Sequence, residues 1–297
     1  MKRRTLLKSL AALPFLAGAG AGRAAVVDGF GHRFKSSLNV YSFNRLLRDG
    51  EIDLFDLLDF CAKNGFDAID PTGYYFPGYP DVPADDYIND FKYRAFYLGL
   101  EISGTGIRTD FVNPDSEKRA ADIEMTRAWI VAASKMGSPN LRIFTGKSAH
   151  EGYSRKQVFE WMAKDIRKCC AIGREHGVVV ALQNHNEFLK TAADVEELFD
   201  RVDSDWLGLN LDIGSYRVND PYEEIGRNVK RAVTWQIKEN VWIDGVETAT
   251  DFERLADIIH RSGYRGYLPL ETLGPGDPYK KVPALVERAR AAGLFGN

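Results

Sequence analysis

Eight short apolar segments alternate with amphipathic segments along residues 36–297, and this alternation limits the possible folds more than any other feature of the sequence. Each apolar segment is almost continuous in hydrophobic residues, which is typical of strands buried on both faces of a parallel sheet. Several amphipathic segments are followed directly by glycine, the residue that most often ends a helix. The predicted strands are residues 38–43, 68–70, 101–107, 140–144, 178–183, 207–212, 233–238 and 267–271.

Repeated strand–helix units of this kind predict an α/β fold with a single (β/α)8 barrel, the TIM barrel. The chain has 297 residues, of which 44% are hydrophobic, so it can fill one large core. A doubly wound sheet is the alternative, but its first strand normally leads into a glycine-rich turn that binds phosphate. Residues 40–44 contain no glycine. The sequence therefore favours the barrel and predicts no nucleotide cofactor.

The first 24 residues differ in composition from the rest of the chain. They contain the basic pair Arg3-Arg4, continue as an apolar run rich in Ala, Leu and Gly, and include no acidic residue. This order is typical of a secretory signal, and the arginine pair resembles a twin-arginine signal. We therefore predict a signal peptide over 1–24, a linker over 25–35, a barrel over 36–297 and export to the periplasm. The alternative is an anchor that is never cleaved; after cleavage we expect no membrane span.

The charge of the predicted mature chain argues against one class of partner. The whole chain has a net charge of −3, and residues 1–24 hold five basic residues and no acid, so cleavage would leave −8. Binding to a nucleic-acid backbone needs a basic surface. We therefore expect a small molecule as the partner and no nucleic acid.

Polar side chains at the ends of the last four predicted strands indicate where a site would lie. In TIM barrels the catalytic groups lie at the carboxyl ends of the strands and in the loops beyond them. Polar groups that enter a core are costly unless they are hydrogen-bonded or bind a ligand. Converging oxygen atoms would suit a divalent cation; alternatively, these side chains hydrogen-bond one another across the top of the barrel. The residues concerned are Gln183, Asp212, Gln236 and Glu271.

Four segments of the second half resemble the xylose-isomerase-like family of sugar phosphate isomerases and epimerases. Residues 180–185 are similar to the family's fifth strand, 209–214 to its sixth-strand aspartate motif, 234–239 to its seventh strand and 263–271 to its last strand. The resemblance implies a TIM barrel with a divalent metal, commonly manganese, cobalt or magnesium, held by Glu, Asp, His and Glu. Carried over by position, the implied metal ligands are Gln183, Asp212, Gln236 and Glu271.

Glutamine stands at two of these positions, where the family has glutamate and histidine. An amide oxygen is still a neutral ligand, so the set would favour Mg²⁺, Ca²⁺ or Mn²⁺ over zinc. In the family, the glutamates of the fifth and last strands are thought to move a proton on opposite faces of the substrate, which Gln183 cannot do at neutral pH. Glu271 then remains as the catalytic base, with His185 or Lys238 as its catalytic partner. One-base chemistry stays open: isomerisation on one face, or proton removal followed by loss of a leaving group.

These expectations combine into a predicted function. Phosphorylated sugars are scarce outside the cytoplasm, so we predict a metal-dependent isomerase or epimerase that abstracts a proton next to the carbonyl of a non-phosphorylated sugar. The alternatives are a 3-keto-glycoside lyase of the same family and a non-catalytic, exported carbohydrate-binding barrel. An apurinic endonuclease is disfavoured, because its zinc cluster needs several histidines and His185 alone lies at a predicted ligand position. Dimers are common among relatives, so a homodimer is also open.

Aromatic and polar residues near the strand ends predict the contacts with a sugar. Aromatic faces stack on the C–H surfaces of pyranose rings, and basic side chains can bind hydroxyls or stabilise an enolate. The predicted substrate-binding residues are Tyr41, Arg142, Asn184, Arg217 and Trp242.

Overall fold

A computed structural model describes residues 34–147 and 151–296. The predicted signal peptide over 1–24, and the predicted linker as far as residue 33, lie outside the described residues. Phe34 is buried, and Lys35 begins the first strand of the barrel. Among the helices that the structure describes, none is both long and apolar enough to cross a membrane.

The described residues form a parallel barrel surrounded by helices, which confirms the predicted fold class. The strands within these residues are β1 (Lys35–Asn39), β2 (Ala68–Asp70), β3 (Glu101–Ile102), β4 (Thr105–Gly106), β5 (Asn140–Ile143), β6 (Val179–Gln183), β7 (Leu207–Asp212), β8 (Ala232–Lys238), β9 (Asn240–Ile243), β10 (Val246–Ala249) and β11 (Tyr267–Glu271). Nine of these strands form one sheet in the order β3-β2-β1-β11-β8-β7-β6-β5-β4, and β9 pairs with β10 in an antiparallel hairpin.

The third position of the barrel is occupied by two short strands instead of the single strand predicted over 101–107. β3 pairs in parallel with β2, whereas β4 pairs in parallel with β5. Gly104 lies between the two pieces, where a Cβ atom would come within 2.9 Å of the Asn140 Oδ1 atom. A bridge between Thr72 and Gly106 adds a further contact at this point. The interruption therefore leaves a nearly closed ring of eight strand positions.

The register of the last strands brings their polar residues to one level. Asp212 at the end of β7 aligns with Gln236 on β8, and Lys238 aligns with Glu271 at the end of β11. Gln183 ends β6, the neighbour of β7 in the sheet. Because parallel strands end at the same edge of the barrel, these side chains converge at its carboxyl end.

Helices cover the outside of the barrel, with the capping residues that their sequences provide. Within the described ranges they are α1 (Asn44–Arg48), α2 (Leu54–Lys63), α3 (Asp85–Tyr97), α4 (Ser116–Met136), α5 (Arg155–His176), α6 (Ala192–Val202), α7 (Pro221–Asn228), α8 (Phe252–Ser262) and α9 (Pro278–Ala291). At α5, Ser154 and Gln157 form a reciprocal capping box. Gly177 ends the same helix with a φ of 68°, which glycine adopts without a steric penalty.

The first strand is shorter than the predicted segment 38–43. It ends at Asn39, and Val40–Phe43 form a turn of 3-10 helix. The Asn39 side chain caps this turn, because its Oδ1 atom accepts a hydrogen bond from the backbone N–H of Tyr41 at 3.0 Å. This turn moves Tyr41 away from the strand end and onto the rim of the barrel.

The apolar pattern does not predict α3 or the β9–β10 hairpin. On α3, Tyr93, Phe96 and Tyr97 are exposed, so aromatic residues lie on both faces of the helix and obscure its periodicity. The hairpin turns at Asp244 and Gly245, whose φ values are 52° and 75°. Such an Asp-Gly pair is a strong hairpin signal, but the flanking strands are mostly exposed, and a search for buried strands overlooks them.

Candidate functional site

A lysine held between two carboxylates lies at the carboxyl end of the barrel. The Nζ atom of Lys238 is 2.7 Å from Oδ2 of Asp212 and 3.1 Å from Oε2 of Glu271. The side chains of Lys238, Asp212 and Glu271 are 14%, 0% and 6% exposed, so little water screens their charges. We call these three residues the lysine cluster.

The charges of the lysine cluster stabilise one another. Burial alone would lower the pKa of Lys238, but the carboxylates of Asp212 and Glu271 outweigh burial and raise that pKa above its usual value. Burial would raise the pKa of Asp212, but the Lys238 ammonium outweighs burial and lowers it. At neutral pH the cluster therefore contains a charged ammonium and an ionised Asp212.

Asp212 is fixed by its neighbours through both its side chain and its backbone. Its Oδ1 atom accepts a hydrogen bond from the backbone N–H of Gly214 at 2.9 Å, and its Oδ2 atom accepts one from Nε2 of Gln183 at 2.8 Å. Asn184 donates to the backbone oxygen of Asp212 at 3.0 Å and accepts from its N–H at 2.7 Å. Asn184 is fully buried and its amide is engaged at both ends, so it holds the backbone of Asp212 in place, and its contact with a sugar stays a prediction.

A second polar cluster surrounds Arg142 on β5. Its Nη1 atom is 3.5 Å from Oδ2 of Asp70, and its Nη2 atom is 3.4 Å from the hydroxyl of Tyr74. Asn39 Nδ2 also donates to Asp70 Oδ2, at 3.3 Å. Burial raises the pKa of Asp70, although Arg142 opposes this effect. We call Asn39, Asp70, Tyr74 and Arg142 the arginine cluster.

Of the arginine cluster, only Arg142 is among the predicted substrate-binding residues. Asn39 and Asp70 are each the last residue of a short buried strand, which is the same signal that identifies Asp212 and Glu271. Because the family resemblance is densest in the second half of the chain, it does not point to these two positions. The rule of strand ends selects Asp70, which ends the predicted strand 68–70, but it does not select Asn39, which lies inside the predicted strand 38–43.

Gln236 lies between the lysine cluster and the arginine cluster. In one amide orientation its Oε1 atom accepts a hydrogen bond from Gln183 Nε2 at 2.7 Å. In the other orientation its oxygen faces Asn39 Nδ2 and Arg142 Nη1, each at 3.0 Å, and its nitrogen faces Asp212 Oδ2 at 3.1 Å. In the first orientation the Gln236 nitrogen faces the donors of Asn39 and Arg142, and in the second it faces Gln183 Nε2, so each orientation brings two donors together. Gln183 Oε1 has no hydrogen-bond partner among the described residues. The amide layer therefore keeps hydrogen-bonding capacity for water or a substrate hydroxyl.

The family resemblance implies a divalent metal, but the residues at the four implied positions do not fit one. Asp212 and Glu271 are the only charged side chains of the four, and the Lys238 ammonium already lies between them. Gln183 presents its nitrogen to Asp212, whereas a metal would need its oxygen. Residues 34–147 and 151–296 contain no group of three or more His, Cys, Asp or Glu side chains that could hold a metal ion. Metal binding by the four predicted ligands stays a prediction. These residues are Gln183, Asp212, Gln236 and Glu271.

A cavity of about 70 Å³ lies beside the lysine cluster. Lys238 and Glu271 line it together with Arg217 and Trp242, and the guanidinium carbon of Arg217 lies 4.4 Å from the centre of the Trp242 ring. The structure thus brings two predicted sugar contacts together with two predicted catalytic residues. Ligand pockets usually measure about 300–1,000 Å³, so this cavity is smaller than most sites that enclose a ligand.

Two larger cavities lie at the opposite end of the barrel. One, of about 790 Å³, is lined by the end of α5 and the loop before β7, including Arg174 and Trp206. The other, of about 520 Å³, is lined by the loops before β8 and β11, including Lys230 and Arg265. Both lie at the amino-terminal ends of the strands, where TIM barrels do not place catalytic groups.

His185 and Tyr41 lie outside the cavity beside the lysine cluster. The His185 ring packs edge-on against Phe144 with 5.5 Å between ring centres, and its Nδ1 atom is 3.2 Å from Oε2 of Glu187. Burial lowers the pKa of His185 below 6.5, so the ring is neutral at neutral pH. Tyr41 packs edge-on against Tyr74 at 6.4 Å, which places it beside the arginine cluster.

We expect Gly106→Ala to disturb the arginine cluster. The added Cβ atom would lie 2.7 Å from Nε and 2.8 Å from Cζ of Arg142, so the buried guanidinium would have to move away from Asp70. The expected loss is about 1–3 kcal/mol in the free energy of unfolding, measured in urea. Gly226→Ala on α7 is the control, because no atom lies within 4 Å of its added Cβ. Equal stability of the two variants would contradict the prediction.

The sequence profile of the family described as Xylose isomerase-like TIM barrel matches residues 58–291. This range contains the lysine cluster, Gln183, Gln236 and every predicted sugar contact except Tyr41. No curated protein matches the sequence at a significant level.

Several solved structures share the fold at low sequence identity. D-psicose 3-epimerase with D-tagatose from Clostridium cellulolyticum H10 has a TM-score of 0.73 and 15% identity, and the match covers 89% of this chain and 100% of that one. 3-keto-D-glucoside 4-epimerase from E. coli has a TM-score of 0.70 and 14% identity, and the match covers 87% of this chain and 100% of that one. The probable 3-DHS dehydratase from Bacillus anthracis has a TM-score of 0.65 and 17% identity, and the match covers 89% of this chain and 100% of that one. At such identities the likeness concerns the fold alone.

Proposed function

Because this chain belongs to the family of xylose isomerase-like TIM barrels, we propose that it is an enzyme that removes a proton next to the carbonyl group of a sugar. The observation that carries the proposal is that the carboxylate of Glu271 and the ammonium of Lys238 line one cavity, 3.1 Å apart. Proton removal next to a carbonyl needs a base for the proton and a positive group for the oxygen. The two side chains supply both.

The substrate class that we propose is a keto sugar. Two of the proteins with a similar fold are named for such sugars, D-psicose and 3-keto-D-glucoside. At the cavity, Trp242 offers an aromatic face and Arg217 offers N–H donors, which together suit a ring with hydroxyl groups. We further propose that the chain is exported and that its substrate carries no phosphate, as the predicted signal peptide implies. A homodimer stays a prediction.

In the proposed reaction, Glu271 takes a proton from the carbon next to the carbonyl. The electron pair of the broken C–H bond forms a C=C bond, and the carbonyl electron pair moves onto the oxygen. Oε2 of Glu271 faces Lys238, which leaves Oε1 as the atom that would accept the proton. Return of the proton to the former carbonyl carbon, together with transfer of the neighbouring hydroxyl proton to the former carbonyl oxygen, forms a new C=O bond and gives an isomer. Return of the proton to the same carbon from the other face gives an epimer.

Elimination is the second candidate, and one observation favours it. Position 183, where the family resemblance places the second glutamate, carries an amide whose nitrogen donates to Asp212. An amide cannot deliver a proton to the opposite face of the sugar. A single base is sufficient for a 3-keto-glycoside lyase, in which loss of a leaving group follows proton removal. We rank isomerisation and elimination above epimerisation on this ground.

The test is proton exchange in D₂O, followed by NMR at the carbon next to the carbonyl. The probes are D-psicose, D-tagatose, D-fructose and 3-keto-glucosides, each with the purified chain. Catalysed deuterium incorporation supports the proposal, and release of an aglycone from the 3-keto-glucosides identifies the lyase. If these sugars bind saturably but no proton exchange occurs at any pH between 5 and 9, the protein is a carbohydrate-binding barrel and not an enzyme.

A further inference from the structure

We propose that the ammonium of Lys238 takes the place of the divalent metal ion, so that the site is built around a lysine and works without a metal. This inference rests on the proposed function for its catalytic part, and on the geometry of the lysine cluster for its binding part. The cluster supplies a positive group from the protein itself, at the point where two carboxylates from β7 and β11 converge. Three features of the site support this assignment.

The first feature is the position of the ammonium. Lys238 Nζ lies within 3.1 Å of one carboxylate oxygen from each of the two acidic positions. A divalent cation bound to the same two carboxylates would lie within a few ångströms of this ammonium, in surroundings that are nearly free of water. Two positive charges at that distance repel each other strongly. Lys238 and a metal therefore compete for one place.

The second feature is the state of the Asp212 carboxylate. Oδ1 accepts from the Gly214 N–H, and Oδ2 accepts from both Gln183 Nε2 and Lys238 Nζ. A glutamate at position 183 would repel Asp212 unless a cation lay between them, whereas a glutamine donates to it directly. The amide of Gln183 is therefore compatible with a site in which an ammonium, and not a metal ion, balances the charge of Asp212.

The third feature is the free donor of the lysine. An ammonium has three N–H donors, and Asp212 and Glu271 engage two of them. Lys238 also lines the cavity beside the cluster, together with Arg217 and Trp242. The third donor is therefore available to the carbonyl oxygen of a bound sugar. As Glu271 removes the proton, negative charge develops on that oxygen, and the fixed ammonium stabilises it without a metal.

The first experiment measures metal binding and needs no substrate. The purified chain is dialysed against Mn²⁺, Mg²⁺ or Co²⁺, and its metal content and thermal stability are compared with those in EDTA. We expect no stoichiometric metal and no shift in Tm. We expect Lys238→Met to gain Mn²⁺ binding, because it leaves two buried carboxylates without their cation. Stoichiometric Mn²⁺ in the unchanged chain, lost in Asp212→Asn, would overturn the proposal.

Lys281→Met is the matched control for the loss of a lysine. Lys281 pairs with Glu239 at 3.1 Å at the same end of the barrel, but outside the lysine cluster. We expect this variant to bind no more Mn²⁺ than the unchanged chain. If Lys281→Met and Lys238→Met gained Mn²⁺ binding equally, the gain would reflect the overall charge of the protein. It would then not support the inference that Lys238 takes the place of the metal.

The second experiment uses proton exchange. We expect exchange to continue in EDTA, and to fall by about 10²–10³-fold in Lys238→Met with partial recovery in Lys238→Arg. Loss of exchange in EDTA, restored by Mn²⁺, would overturn the proposal while leaving the proposed function intact. If no sugar exchanges at all, the proposed function fails, and metal binding still decides whether Lys238 occupies the place of the metal.

Discussion

Glu271→Gln is expected to slow proton exchange next to the sugar carbonyl by about 10²–10⁴-fold, the usual contribution of a general base. The amide keeps the size of the carboxylate, and its oxygen can still accept a hydrogen bond from Lys238. It cannot accept the proton of the substrate at neutral pH. We therefore expect the loss to appear in kcat, with sugar binding little changed. The rates are measured by NMR in D₂O on the substrate that gives the fastest exchange.

Glu239→Gln is the control for this loss. Glu239 lines the same cavity as Glu271, but it pairs with Lys281 at 3.1 Å and not with Lys238. Its replacement removes one negative charge from the mouth of the site, so a change of less than about tenfold is expected. If Glu271→Gln kept most of the exchange rate, or if both variants lost it equally, Glu271 would not be the base.

Arg142→Met is expected to lower the free energy of unfolding by about 3–5 kcal/mol, because it leaves the carboxyl of Asp70 buried without its cation. The side chains of Arg142 and Asp70 are 3% and 4% exposed, so water cannot replace the lost partner. The guanidinium also contacts Tyr74, and that contact would be lost as well. Unfolding in urea, followed by circular dichroism, measures the effect.

Two further variants separate the charge from the packing. In Asp70→Asn/Arg142→Met both partners are neutral, so part of the loss should be recovered. Arg94→Met removes an arginine whose pair with Asp59 is largely exposed, and a cost below about 1 kcal/mol is expected. If the double variant is as unstable as Arg142→Met, the packing of the long side chain, and not the buried charge, is the main contribution of Arg142.

The barrel could be predicted from the sequence because each buried strand is a short apolar run, and the runs at 68–70, 207–212 and 267–271 have the bounds of β2, β7 and β11. The acidic residues Asp212 and Glu271 followed from their place at strand ends. The choice between His185 and Lys238 as the partner of Glu271 stayed open, because a sequence does not reveal how far a flexible lysine reaches. The contact of Lys238 with both carboxylates depends on the register of β8 with β11 and on the packing around it.

Other features could not be predicted because they depend on contacts that are distant in sequence. Asn184 is a predicted sugar contact because it is polar and follows a strand, but the sequence gives no sign that its amide hydrogen-bonds the backbone of Asp212 on the neighbouring strand. At the division of the third barrel position, Gly104 lies against Asn140, and these two residues come close only in the folded chain. A pattern that is read along one segment contains neither contact.

The β9–β10 hairpin forms a two-stranded sheet that is separate from the barrel sheet. At its base, the backbone N–H of Thr250 donates a hydrogen bond of 2.9 Å to the backbone oxygen of Glu239. The hairpin carries Trp242 to the cavity, while Lys238 and Glu271 are held by the barrel strands themselves. Natural variation in the length and composition of this hairpin can therefore alter which molecules enter, at little cost to folding. Descendants of one ancestral barrel could diverge in what they consume and still inherit the same reaction.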